Sequence, residues 1–486
     1  MRRTMGGKRM KKAELAALAA AVLAGLAGAV PSATGAAAAE RYLVVLAGTQ
    51  GDAGFTSSGS HAAVVAAVSA AGGTVANDLS RQVGVLVVES SVATFAEALS
   101  ASSLVETVGK DKPFKGLPDG GPEQTADPLE PLQWDMELIR APHAHNFQAG
   151  SRSVDVGVLD SGIDGHHPDF VVDGKGSNVD CARGRNSVQF LPSGPGVGNP
   201  DPCVDNQFHG THVAGTIAAQ ANGIGVVGVA PNVTLVPVKV CDASGYCYVS
   251  GVVDGLTYAG DIKLDVINMS FFVDDDAFQE STEFKCNSDP TQKAFRQSVE
   301  RAIKYALGRG VVPVAALGNS DEDLGDPSAA DADDCDVVPA ETKGVIAVSA
   351  LGPQSEKASY SNYGVPANDV AAPGGNGTTG DCTTTILSTL PGGAYGCIQG
   401  TSMASPHAAG VAALIVSQFG KLAKNGDVEL APSTVESIME RSAVDIGLTG
   451  YDTCFGNGRI DALRAIEKDF STRYDASAPF CAEYTE

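Results

Sequence analysis

Val154-Asp155-Val156-Gly157-Val158-Leu159-Asp160 is almost wholly apolar, too short for a stable helix, and ends on a carboxylate. A run of this kind reads as a strand buried on both faces. Similar short runs recur at 233–240, 264–268, 310–316 and 345–349, and helical patterns at 210–221, 250–261, 291–307 and 402–419 fall between and after them. Strands alternating with helices at this spacing predict the α/β class, with a mostly parallel central sheet flanked by helices. In such sheets, sites form at the carboxyl ends of the strands. Asp160 is therefore expected where chemistry would sit. Residues 171–206 are rich in Gly, Pro and Asn and carry Cys181 and Cys203, which predicts a stapled surface loop.

Upstream, residues 40–112 form a separate small α/β pattern. Strands are expected at 41–46, 84–88 and 105–108, and helices at 62–71 and 93–100. Residues 113–131, rich in Pro, Gly and acids, read as an exposed linker. The first twelve residues carry six bases, followed by the apolar run Leu15–Val30 and the small residues Ala36–Ala39. A basic head, apolar middle and small-residue exit read as a secretory signal over residues 1–39. An uncleaved membrane anchor is the alternative, although the run is short for a span.

The chain has 486 residues, with 33 basic and 57 acidic side chains, for a net charge of −24. This acidity argues against nucleic-acid binding, which draws its affinity from basic side chains. No later segment is long and apolar enough to span a membrane, so a soluble body is expected. The ten cysteines all follow residue 180. An even count in an exported chain predicts disulfides, with pairing in chain order as the simplest arrangement.

Three segments carry the chemistry. Val158-Leu159-Asp160-Ser161-Gly162-Ile163-Asp164 puts a carboxylate at a strand end. His209-Gly210-Thr211-His212 puts an imidazole at a helix start. Gly400-Thr401-Ser402-Met403-Ala404-Ser405-Pro406-His407 puts a hydroxyl at the start of a long helix. A weak hydroxyl nucleophile needs a base, and the base needs an orienting group. Ser402, His209 and Asp160 supply those roles. The chain order Asp, His, Ser and the missing Gly-x-Ser-x-Gly elbow argue against an α/β-hydrolase.

In order, spacing and motif, residues 132–467 resemble the subtilisin-like serine proteases, the subtilases. The resemblance implies a subtilisin-like fold, a peptidase domain over 132–486, and polypeptides as substrates. It implies Asn319, after Ala315-Ala316-Leu317-Gly318, as oxyanion donor beside the nucleophile's own N–H. It implies extended substrate lying along Ser244-Gly245-Tyr246 and Met269-Ser270, with Ala316, Leu317 and Gly318 nearby. Phe271-Phe272 stand where relatives carry Leu-Gly, a departure that reshapes the expected specificity pocket. The resemblance also implies a structural calcium held by Asp169 and Asn222 with oxygens of Gln220, Ile224 and Val226. The other reading of those residues is loop hydrogen bonding. Residues 40–112 resemble the ferredoxin-like α+β inhibitory propeptide of secreted members, which assists folding, blocks the cleft and is cut away within 113–131. A secreted, extracellular monomer is the family-based expectation.

Other residues read more plainly. His212 and His407 are expected to be packed, hydrogen-bonded histidines, His166 and His167 turn residues, and Trp134 a packing residue. The acidic run 331–336 is expected to be a solvated loop. Two rival readings are a catalytically silent binding protein on the same fold and a dedicated processing protease.

Overall fold

The computed structural model describes residues 39–48, 58–115, 129–172, 176–188, 198–271, 290–325, 337–424, 426–479 and 481. The expected signal before residue 39, most of the linker (116–128), Phe272 with the insertion that follows it, Cys286, and the acidic run with Cys335 lie outside the described residues.

The front unit comprises β1 (Glu40–Leu46), α1 (Ser58–Ala70), β2 (Gly73–Leu79), β3 (Val85–Ser90), α2 (Phe95–Ser100) and β4 (Val105–Lys110). Its antiparallel sheet has the order β2-β3-β1-β4. The order is strand, helix, strand, strand, helix, strand, with a four-residue helix, Ser80–Val83, between β2 and β3. Strand β2 has no counterpart among the strands read from the sequence. Its residues Gly-Thr-Val-Ala-Asn-Asp-Leu alternate between exposed and half-buried at the sheet edge, so it lacks an apolar run. The sheet is apolar on both faces. Tyr42, Val44, Leu46, Leu86 and Val88 pack with Phe95 and Leu99 in the unit's own core. Leu43, Val45, Val85 and Val87 face the other way and join a cluster with residues of the larger domain.

The stretch read as a linker begins with a strand. Pro113–Lys115 form a strand, β5, and Leu129 is buried at its far end. Short helix α3 (Trp134–Leu138) then opens the larger domain.

That domain is built on seven strands: β6 (Asp155–Asp160), β7 (Arg185–Asn186), β8 (Thr234–Lys239), β10 (Val266–Met269), β11 (Val312–Ala316), β12 (Ile346–Leu351) and β13 (Val370–Pro373). A three-residue strand β9 (Tyr246–Tyr248) precedes α5 and lies outside this sheet. The sheet order is β13-β12-β11-β10-β6-β8-β7, and every pairing is parallel. Parallel pairing requires crossovers, and these place helices on both faces. On one face α4 (His209–Ala218) and α7 (Thr401–Phe419) cover Val156, Val158, Val312 and Val348. On the other, α5 (Val249–Asp261) and α6 (Pro290–Gly308) cover Leu159, Val236, Val238 and Ile267. Hairpin β14 (Ile386–Leu390) and β15 (Ala394–Ile398) precedes α7. Helices α8 (Pro432–Ser442) and α9 (Ala462–Glu467) close the domain.

Disulfides join Cys181–Cys203, Cys241–Cys247, Cys382–Cys397 and Cys454–Cys481, the neighbour pairing expected for those eight. The Cys181–Cys203 loop is not wholly superficial, because it returns β7 to the sheet edge.

Candidate active site

Parallel alignment brings the carboxyl ends of β6, β10 and β11 together. Asp160 ends β6 and is completely buried, as is His209 in the first turn of α4. His209 Nδ1 lies 3.0 Å from each carboxylate oxygen of Asp160. Ser161 N donates to Asp160 Oδ1 at 2.7 Å, so the carboxylate is fixed from two directions. α4 comes this close because Gly210 has no side chain: a Cβ there would strike the Gly162 carbonyl and stand 3.1 Å from Asp160 Cβ.

A second carboxylate, which sequence reading passed over, ties these two segments together. Asp205 Oδ1 accepts from Ser161 Oγ (2.9 Å), and Oδ2 accepts from Thr211 N (2.9 Å) and Thr211 Oγ1 (2.7 Å). Its signal in the sequence was an Asp four residues before a buried His, a spacing that carries little information by itself.

Ser402 lies in the first turn of α7, only 5% exposed. Its hydroxyl donates to the Ser270 carbonyl at 3.1 Å. His209 Nε2 is buried and makes no hydrogen bond among the described residues. The imidazole nitrogen that would accept the serine proton is therefore uncommitted, and the serine rests on a neighbouring acceptor. Hydrogen bonds of catalytic groups are often loose before substrate binds.

Pro406 has no N–H, so the Ser402 carbonyl lacks its usual helical donor. Ser270 Oγ donates to that carbonyl at 2.8 Å and is itself held by Asn268 Nδ2 at 2.8 Å. The need for an outside donor was readable from Pro406, but its identity was not.

Asn319 follows β11. Its Oδ1 accepts from Thr401 N and Thr401 Oγ1, both at 2.9 Å, which turns the amide nitrogen the other way. Gly400 has φ 151°, and a Cβ there would stand 3.6 Å from Ser402 N and 3.8 Å from Asn319 Nδ2. Two N–H donors thus lie within 4 Å of one point beside Gly400, whose positive φ favours glycine. The first N–H groups of a helix have no internal partners and favour developing negative charge.

Ala316 and Leu317 are buried beneath this corner, and Gly318 N donates to Thr401 Oγ1 at 3.2 Å. Ser244, Gly245 and Tyr246 lead into β9. There β5 of the front unit pairs antiparallel, with Lys115 opposite Tyr246, Phe114 opposite Cys247 and Pro113 opposite Tyr248. Phe271 is 1% exposed and belongs to the cluster under α5 and α6.

Asp169 is completely buried, and its Oδ2 accepts from Val226 N at 2.9 Å. Asn222 Oδ1 accepts from Ile224 N, and its Nδ2 donates to the Pro168 and Val171 carbonyls. The Gln220 side-chain oxygen is taken by Arg152 at 2.9 Å, which leaves its main-chain carbonyl to the loop. A carboxylate, an amide oxygen and loop carbonyls make the hard oxygen set that calcium takes. Elsewhere Asp369, Glu436 and Glu440 offer carboxylate oxygens within 4.8 Å of one another. Burial chiefly pushes the Asp369 carboxyl up to about 7.

His212 is a packed residue: Nε2 donates to the Ile386 carbonyl at 3.0 Å, and burial pushes the imidazole down to about 3, so it is neutral. His407 is buried against Asp135 at 2.9 Å, with its other nitrogen 2.8 Å from the Met403 carbonyl. Trp134 packs on the main core and also donates to the Thr385 carbonyl at 3.1 Å.

Comparison with known proteins shows the family. The family model described as "Subtilase family" matches residues 151–458. Subtilisin NAT of Bacillus subtilis subsp. natto is 34% identical over 336 residues, covering 69% of this chain and 71% of that protein. The subtilisin of Bacillus pumilus is also 34% identical over 336 residues, with 99% of its length covered. Among solved structures, the epidermin leader peptide processing serine protease of Staphylococcus aureus superposes with a TM-score of 0.67 at 20% identity, over 88% of this chain and 99% of that one. The matched span encloses the ends of β6 and β11 and the starts of α4 and α7, and the chain belongs to the subtilase family of serine-type endopeptidases.

Proposed function

We propose that the chain is a secreted preproenzyme whose mature domain cleaves internal peptide bonds through an acyl-enzyme on Ser402. The observation that carries this reading is the convergence of the Asp160–His209 pair, Ser402 and the two donors around Gly400. Ser402 Oγ attacks the scissile carbonyl, and its proton passes to His209 Nε2. Asp160 holds the imidazole by Nδ1 and balances the imidazolium. The oxyanion is met by Ser402 N and Asn319 Nδ2. Collapse breaks the C–N bond, and His209 returns the proton to the leaving amine. Water then attacks the ester with His209 again as base, releasing the acid and restoring Ser402. A labelled fluorophosphonate that modifies Ser402, with loss of labelling in Ser402→Ala, is the expected result. An unlabelled but folded protein would refute the reading and favour a silent member of the fold.

Residues 1–39 act as the export signal in this proposal, and residues 40–112 act as the intramolecular inhibitor and folding aid. Cleavage falls within 113–131, and the peptidase domain runs from 132 to 486. Support comes from β5, which lies along β9 as an added strand, the way extended peptides add to sheet edges. Among the described residues no helix is long and apolar enough to cross a membrane. The mature enzyme acts extracellularly as a monomer on polypeptides.

Calcium belongs to the proposal as a structural ion. Asp169 and Asn222 would hold it, with main-chain oxygens of Gln220, Ile224 and Val226. When bound it would screen the buried Asp169 charge and hold the loop in one form. The mature domain's first residues grip the same loop: Gln133 Oε1 accepts from Val227 N and Gln133 Nε2 donates to Val227 O.

A further inference from the structure

The edge that receives β5 is closed into a covalent ring. Cys241 and Cys247 are joined across a separation of six residues, and both are fully buried. They face each other as an antiparallel bridge. Within the ring Asp242 N donates to the Tyr246 carbonyl at 2.8 Å and Gly245 N to the Asp242 carbonyl at 3.0 Å. The Asp242 Oδ1 atom accepts from Ser244 N (2.8 Å) and Tyr246 N (3.0 Å). Tyr246 thus turns its main-chain groups into the ring. Its neighbour Cys247 turns its own outward, because successive strand residues alternate. Phe114 stands opposite Cys247 in the pairing. At its other end the ring is fastened to the catalytic centre, since Val240 N and Cys241 N donate to the Asp160 carbonyl at 2.8 and 3.2 Å.

We propose that the Cys241–Cys247 ring is a specificity-determining element: it pre-forms the strand edge on which extended polypeptide is bound, and so sets the enzyme's preference for long substrates over short ones. The inference rests on the serine peptidase reading above. A free seven-residue loop would have to order its backbone each time a substrate strand was added. The disulfide and the Asp242 carboxylate order it beforehand, and preorganisation of this kind appears as affinity. A single-residue ester makes no strand with the edge and gains nothing from the ring. Cys241 and Cys247 are positioning residues here; the contact with substrate is made by the main chain of residue 247.

The test uses the full chain after maturation. Its readout is the ratio of kcat/KM for a six-residue peptide anilide to kcat/KM for a single-residue ester. In the Cys241→Ser/Cys247→Ser double variant the ratio should fall by about tenfold, the cost of ordering roughly one more backbone residue on binding. The fall should appear in KM for the long substrate. Asp242→Ala should lower the ratio in the same direction by about threefold, as it removes side-chain hydrogen bonds and leaves the disulfide. That variant decides the matter if the double variant does not accumulate. Ester hydrolysis with an unmoved ratio overturns the ring's role and leaves the peptidase reading standing. Absence of ester hydrolysis in the unsubstituted chain overturns both.

Discussion

The front unit and the catalytic domain solve the same problem differently. Each contains a sheet with two apolar faces. The catalytic sheet covers both with its own helices and is reinforced by disulfides. The front unit covers one face with α1 and α2 and leaves Leu43, Val45, Val85 and Val87 to be covered by the catalytic domain. It contains no cysteine at all. Around that borrowed cover lie polar contacts: Arg301 Nη2 to Glu106 Oε2 at 2.6 Å, Asn77 Nδ2 to Asp254 Oδ1 at 3.1 Å, and Ser250 N and Oγ to Asp111. One region covers both faces itself, and the other borrows cover for one of them. The proposed removal of the front unit would expose that borrowed face again, so the comparison can be tested from both sides.

The largest expected effect tests the catalytic domain. Ser402→Ala should lower kcat by about 10^6-fold, the scale for losing a serine nucleophile in this kind of triad. It should also leave the 40–112 unit covalently attached, as seen by mass on a denaturing gel. Normal processing in that variant would break the proposed dependence of separation on the site. Next, Val87→Asp puts a charge into the borrowed cover. An unpaired buried charge is strongly unfavourable, so the yield of active enzyme should collapse while a Val87→Leu control remains near the parent. Equal yields would show that the shared cluster does not matter. Asn319→Ala should cost about 10^2- to 10^3-fold in kcat, with KM little moved, because the donor acts on the oxyanion.

The junction should also respond to pH. Burial raises the Asp111 carboxyl to about 6, against the pull of Ser250 and Arg41. A group whose value is raised by docking favours the docked state at low pH and ceases to do so as pH rises through the docked value. The front unit should therefore leave the processed enzyme more readily as pH climbs, by about tenfold per unit between roughly 4 and 6, levelling off above. Asp111→Asn should flatten the profile of activity gained with time. The smallest effect concerns the catalytic domain alone. Calcium in about 100-fold excess over its Kd should raise the thermal midpoint by roughly 3–5 °C through mass action. Asp169→Ala should abolish the difference between calcium and chelator.

Much of the catalytic fold was legible in the sequence. Parallel strands buried on both faces are continuous apolar runs, and helices packed on them keep their period, so β6, β8, β11 and α4 to α7 were placed within a few residues. Strand β2 was not, because an edge strand carries no such run, and β5 was not, because Pro113-Phe114-Lys115 becomes a strand only beside β9. Asp160, His209 and Ser402 stood out because motif and order marked them, and Asn319 only through the resemblance to subtilases. Asp205 and Asp135 did not, and Ser270 is marked by the resemblance as part of the substrate edge, not as the donor to the Ser402 carbonyl.

What the sequence determined alone was the local part: the apolar runs and their period, the residue types at strand ends and helix starts, and the chain's acidity and cysteine count. Each depends on near neighbours along the chain. The tertiary structure alone decided that Asp160 meets His209 across 49 positions. It decided too that Ser270 serves the carbonyl orphaned by Pro406, and that Cys247 offers its main chain to an incoming strand. Those contacts join residues far apart in the chain, and only the packing of helices on a parallel sheet brings them within hydrogen-bonding distance.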